Sequence, residues 1–90
     1  MMTQQEAMDY IAIALRKVVK KDKIEFSLNT DLVLEKILDS LDRLVFLLEL
    51  SEMTGKEFPE DMDIVKVGLF KVFNLADYLT DRKNISDFRA

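Results

Sequence analysis

The segment that most constrains this chain lies between Ser40 and Gly55. Eight of the fourteen residues from Ser40 to Met53 are apolar, with no internal glycine or proline. Serine is a favoured N-cap and glycine a natural residue just past a helix C-terminus, so the spacing predicts a helix from Ser40 to about Thr54. At about 100° per residue, Leu41, Leu44, Val45 and Leu48 form one face, while Phe46, Leu47, Leu50 and Met53 spread over the others. Eight apolar residues are too many for one buried stripe. A small helical domain wraps one side of such a helix and leaves the other for a partner.

The remaining 76 positions of the 90-residue chain hold two glycines and one proline, which points to a single, mostly helical domain. Thr3-Gln4-Gln5-Glu6 is a capping box, and Ala7, Ile11, Ala14, Leu15 and Val18 follow at helical spacing, so a first helix is expected from about Thr3 to Lys20. From Asp22 to Leu38 the period breaks. Ile24, Phe26, Leu28, Leu32 and Val33 are then anchors of a long loop, a length that usually has a functional reason. After Pro59, Glu60 to Lys66 reads as a short helix and Gly68 as a turn. Val72, Leu75, Ala76 and Leu79 restore helical spacing in a last helix ending near Asp81. The expected architecture is all-α, a small four-helix bundle with three longer helices and one short one. Residues 1–81 form the domain, and 82–90 a polar tail with Ile85 and Phe88 as docking points.

Composition removes most chemistry. Histidine, cysteine and tryptophan are absent, which excludes thiol nucleophiles, Ser-His-Asp triads, disulfides and the usual zinc sites. A domain this small buries roughly 60 to 65% of its unfolded surface and has little stability to spare for a deep, strained active site. An enzyme is not expected. Glu60, Asp61 and Asp63 lack the spacing of a calcium loop and read as a solvated acidic turn, so no metal is expected. The longest apolar runs, Ile11 to Leu15 and Leu44 to Leu48, are far too short to span a bilayer. Met1-Met2-Thr3-Gln4-Gln5-Glu6 lacks the order of a signal peptide, so a cytoplasmic protein without membrane insertion is expected.

The formal charge of −4 is uneven. Residues 1–23 carry five bases against three acids, residues 24–65 three bases against eleven acids, and residues 66–90 five bases against three acids. An acidic centre is a poor nucleic-acid surface. The bases Arg16, Lys17, Lys20, Lys21 and Lys23 are read as a helix end complementing its own dipole.

The most informative motif is Asp39-Ser40-Leu41-Asp42, where the long loop enters the apolar helix. By capping alone, Ser40 reads as an N-cap. Thr30-Asp31-Leu32 precedes it, the apolar positions Leu44, Phe46, Leu47 and Leu50 follow, and then come Gly55-Lys56-Glu57-Phe58-Pro59 and Leu75-Ala76-Asp77-Tyr78-Leu79. In this order, over residues 3–81, the chain resembles the acyl carrier protein family, whose modification site is an Asp-Ser-Leu at the start of its second helix. The resemblance implies that Ser40 is an attachment point, onto which a phosphopantetheinyl transferase moves 4′-phosphopantetheine from coenzyme A. That arm's thiol carries acyl groups as thioesters in fatty-acid, polyketide or specialised lipid biosynthesis. Asp39 and Leu41 would flank the arm, with Asp39 helping the transferase and its metal engage the site. A helix N-terminus favours a phosphate ester, although Asp39 and Asp42 oppose it.

The resemblance also implies a monomer visited by acyl-loading and acyl-processing enzymes, which would meet Leu41, Asp42, Leu44, Val45, Leu48, Glu49 and Glu52. The family's acids at the second, fifth and twelfth positions after the serine are here Asp42, Val45 and Glu52. Arg43 adds a base, Ser51 and Met53 stand where further acids are common, and Thr54 replaces an aromatic. Ile37-Leu38 replaces the commoner glycine-containing turn, and the link after Pro59 is about three residues longer than in the general fatty-acid carrier. These departures fit a specialised carrier recognised through a more apolar helix. Two alternatives stand beside it: an aminoacyl, D-alanyl or peptidyl carrier, and an unmodified adaptor that binds a partner helix through Leu41, Leu44, Val45 and Leu48.

Overall fold

The computed structural model describes residues 2–21, 23–58 and 68–84. Among these are three helices, α1 (Gln4–Val19), α2 (Ser40–Thr54) and α3 (Val72–Leu79), with no strand beyond an isolated antiparallel bridge between Asp31 and Lys71. The fourth, short helix expected at Glu60 to Lys66 lies outside the described residues, as do the acidic turn at Glu60, Asp61 and Asp63 and the anchors Ile85 and Phe88.

The capping box opens α1 as its residues dictate. The Glu6 amide donates to Thr3 Oγ1 at 3.1 Å, and the Thr3 amide donates to Glu6 Oε1 at 3.0 Å. The bond from the Thr3 amide holds the Glu6 carboxyl below its ordinary range. At the other end Lys20 adopts a left-handed conformation, φ 57°, and returns its amide to the Arg16 carbonyl, so the helix stops one residue before the expected boundary. Ala7, Ile11, Ala14 and Leu15 face the core, and the half-buried Tyr10 packs beside them.

α3 is shorter than the sequence pattern implies. It has eight residues and ends at Leu79 rather than near Asp81, because Thr80 turns its hydroxyl back to the Ala76 carbonyl at 2.9 Å and Asp81 takes a left-handed conformation. Its start is also unusual. Lys71 stands at the N-cap position and makes no side-chain cap, so the first amides of α3 need acceptors from elsewhere. The long loop supplies them: Val72 donates to the Thr30 carbonyl at 2.8 Å and Phe73 to the Leu28 carbonyl at 2.9 Å. In return the Leu32 amide donates to the Phe70 carbonyl at 2.9 Å.

This pairing gives the loop its order. Ser27 and Thr30 close a turn, with the Ser27 amide on Thr30 Oγ1 at 2.9 Å and the Thr30 amide on the Ser27 carbonyl at 3.1 Å. Asp31 Oδ1 accepts the amides of Val33 and Leu34, and Ile37 and Leu38 both donate to the Leu32 carbonyl. Leu32 and Leu38 are thereby driven into the core, and Asp39 follows directly at the head of α2.

The core joins these elements. Phe46, Leu47 and Leu50 of α2 share one buried cluster with Ile11, Ala14 and Leu15 of α1, Leu75, Ala76 and Leu79 of α3, and the fully buried pair Leu69-Phe70 before α3. The Phe46 and Phe70 rings stand 6.4 Å apart. Past α2, the Tyr78 hydroxyl donates to the Glu57 carbonyl, its ring packs on Phe58 at 5.2 Å, and Lys56 reaches over that ring to pair with Asp81. Burial pushes the Tyr78 phenol above its ordinary range. The first residues of the expected tail still belong to this packing, since Arg82 donates its amide to the Asp77 carbonyl and Lys83 Nζ reaches Asn74 Oδ1 at 3.2 Å.

The orientation of α2 makes a direct prediction. Leu50→Ala should cost roughly 2 to 5 kcal/mol in urea denaturation, because it empties a fully enclosed site. Leu48→Ala, on the open side, should fall within about 0.5 kcal/mol of the parent. Equal losses would mean that the helix is rotated.

Candidate functional site

The head of α2 divides two tasks between adjacent residues. Asp39 has an extended backbone (φ −83°, ψ −176°), and its Oδ1 accepts the amides of Leu41 at 3.1 Å and Asp42 at 2.9 Å. It is the N-cap. The expectation that Ser40 would cap is therefore corrected: Ser40 is the first helical residue, one position inside. The carboxylate wins because it takes two free amides at once and places full negative charge at the positive end of the helix. Ser40 is exposed, and its hydroxyl makes no hydrogen bond among the described residues.

The face beside Ser40 is apolar and open. Leu41 is 73% exposed, Leu44 50%, Val45 44% and Leu48 61%, and Glu52 is exposed near its far end. The acids expected to share this face do so unequally. Glu49 is half-buried and turns toward α1, where its Oε2 lies 3.5 Å from Lys17 Nζ. Asp42 is also half-buried. The charge on this face therefore rests on Glu52 more than the helical wheel implies, since Lys17 draws Glu49 away.

Two features escaped sequence reasoning. Leu34, at the tip of the turn that Asp31 organises, is 79% exposed. Arg43, noted only as an added base, is half-buried, and its Nε is enclosed without a hydrogen-bond partner among the described residues. Its place on the wheel held the signal: about 100° per residue puts Arg43 between Leu47 and Leu50, on the core side of α2.

Elsewhere, one open cleft lies between Ala12, Arg16, Lys23, Ile24 and Phe26, and another runs along Val19, Lys21, Glu35, Lys36 and Ile37. Neither includes a residue of the Ser40 turn or of the apolar face. Among the described residues no group of three acids is placed to hold a metal ion, and no helix is long and apolar enough to cross a membrane. No family model, curated protein or solved structure matches the chain.

The division of labour at the helix head predicts opposite sensitivities for neighbouring residues. Asp39→Ala should lose about 1 kcal/mol of stability. Ser40→Ala should change it by less than about 0.5 kcal/mol, because an exposed first-turn serine that caps nothing is replaced by a good helix former. Chemical denaturation of the two variants beside the parent checks this, and a larger loss for Ser40→Ala would return the cap to the serine.

Proposed function

We propose that this chain is a specialised acyl carrier protein of the four-helix type, modified on Ser40 with 4′-phosphopantetheine and without turnover of its own. The observation that carries the reading is the exposed Ser40 hydroxyl at the first position of α2, without a hydrogen bond among the described residues because Asp39 does the capping. A nucleophile for modification must be reachable and uncommitted, and Ser40 is both. In the transfer, Ser40 Oγ forms a bond to the pantetheine-bearing phosphorus of coenzyme A. The bond from that phosphorus to adenosine 3′,5′-bisphosphate breaks, and the hydroxyl proton leaves to the transferase. The arm supplies the thiol that this cysteine-free chain lacks, and acyl groups ride on it as thioesters.

The residues around Ser40 have separable roles in this reading. Asp39 keeps the serine at a fixed place on the helix and offers the transferase's metal a carboxylate beside it. Leu41, Leu44, Val45 and Leu48 form the surface on which loading and processing enzymes dock, with Glu52 and, more weakly, Asp42 and Glu49 steering them. The protein acts as a cytoplasmic monomer that presents its cargo to separate enzymes.

The test is intact mass. Incubation with coenzyme A, magnesium and a phosphopantetheinyl transferase of broad specificity should add one phosphopantetheine, and Ser40→Ala should abolish the addition while keeping the helical signal. Wild type that accepts no arm would leave the unmodified adaptor as the better reading. Offered activated acyl and aminoacyl groups in competition, the modified protein should take the acyl group; preference for an amino acid would make it an aminoacyl carrier.

The apolar face makes a further prediction. A cognate enzyme should lose only modest affinity as salt rises, because screening weakens the few acids but leaves the contact with Leu41, Leu44, Val45 and Leu48. Val45→Glu should impair that pair and improve use by enzymes of general fatty-acid synthesis. Titrations at low and high salt decide this, and tighter cognate binding by Val45→Glu with steep salt dependence would show that the helix works by charge.

A further inference from the structure

Past α1 the chain runs back beside that helix in an irregular stretch whose side chains alternate. Lys23 and Glu25 are exposed, while Ile24 and Phe26 are half-buried and pack against the core. On the facing side α1 presents Ala12 and, one turn later, Arg16. The methyl group of Ala12 leaves space against the two larger apolar side chains, and a cleft of about 190 Å³ opens between Ala12, Arg16, Lys23, Ile24 and Phe26. Its floor is apolar, and its exposed rim carries two cations and no acid. α1 offers Arg16 no counter-charge, since the positions three and four residues away hold Ala12, Ile13, Val19 and Lys20. Neither Arg16 nor Lys23 has an ion pair among the described residues.

A second cleft, of about 250 Å³, shares Lys23 and Ile24 with the first and continues along Val19 and Ile37. Together they reach the scale of about 300–1,000 Å³ usual for small-molecule sites. The second cleft adds Lys21 and Lys36 but also Glu25 and Glu35, so a polyanion lying there meets repulsion as well as attraction. A trough that is apolar along its length and purely cationic at one end suits a chain with a single anionic head. We propose that it binds an aliphatic monocarboxylate of medium length. The carboxylate lies between Arg16 and Lys23, where the guanidinium fork donates two parallel bonds and the ammonium adds a second positive charge. The chain lies on Ala12, Ile24 and Phe26 and runs on toward Val19 and Ile37. This site contains no residue of the Ser40 turn and does not rest on the carrier reading.

The test is a titration with sodium octanoate, below the concentration at which it forms micelles, followed by the backbone amide shifts of the unmodified protein. Saturable shifts are expected at Ala12, Arg16 and residues 23–26. Butanoate should bind at least about tenfold more weakly, because it buries fewer methylene groups. Octanol, with the same chain and no charge, should also bind more weakly than octanoate. Arg16→Gln and Lys23→Gln should each weaken octanoate about 2- to 5-fold, the range of an exposed ion pair. Ala12→Leu keeps both charges and a good helix former, and should abolish saturation by filling the hollow. Ala12→Ser leaves the space open and should bind as wild type does, which separates occlusion from a disturbed helix. Octanoate that gives no saturable shift, or shifts centred on Leu41, Leu44, Val45 and Leu48, would overturn the site. Equal binding of octanol and octanoate, unchanged by Arg16→Gln, would overturn the carboxylate pocket. Saturation of the same residues by an amphipathic acidic peptide and not by octanoate would overturn the small ligand in favour of a protein partner.

Discussion

α3 begins without a side-chain cap, and most of the architecture follows from how that deficit is met. The amides of Val72 and Phe73 find the carbonyls of Thr30 and Leu28, and the Phe70 carbonyl takes the Leu32 amide. Backbone groups buried at a helix start must be paired, so the long loop is fastened to α3 by the same bonds that let α3 start. Once fastened, the loop has little freedom in where it sends Leu32 and Leu38, and Leu38 immediately precedes Asp39. The geometry of the Ser40 turn is thus set from the far side of the domain, by an interaction between residues some forty positions apart.

Asp39 then decides what Ser40 is available for. A serine that caps its helix has its oxygen engaged with backbone amides, whereas a serine one position later has it facing water. The Asp-Ser pair places the capping group first and leaves an exposed hydroxyl second, the one that serves as nucleophile in the carrier reading. In that reading stability and reactivity fall to different side chains, so the helix head is modified without being unmade. The cost is electrostatic, since the carboxylate that frees the serine also opposes a phosphate there.

α2 serves two environments with one helix. Phe46, Leu47 and Leu50 join the common core, with Phe46 beside Phe70, while Leu41, Leu44, Val45 and Leu48 stay open to solvent. An open face with four large apolar side chains costs solubility, and contiguous apolar patches commonly mark docking surfaces. In the carrier reading this face adjoins the arm, so an enzyme that docks there meets the cargo at the same time.

The local chemistry of the chain was legible in its sequence. The capping box at Thr3 and Glu6, the bounds of α2, the two faces of that helix and the serine at its head all depend on side chains within a few positions of one another, where propensity and period decide. What only the tertiary structure decided involves partners distant in sequence. The burial of Leu69 and Phe70 beside a glycine turn, the pull of Lys17 on Glu49 and the enclosure of Arg43 Nε carry no periodic signature, because each depends on which surface another element presents. The cap at Asp39 lies between the two. Both Asp39 and Ser40 are good capping residues in sequence, and the choice fell to Asp39 because the loop, tied to α3, delivers it in an extended conformation with its carboxylate over the first free amides of α2.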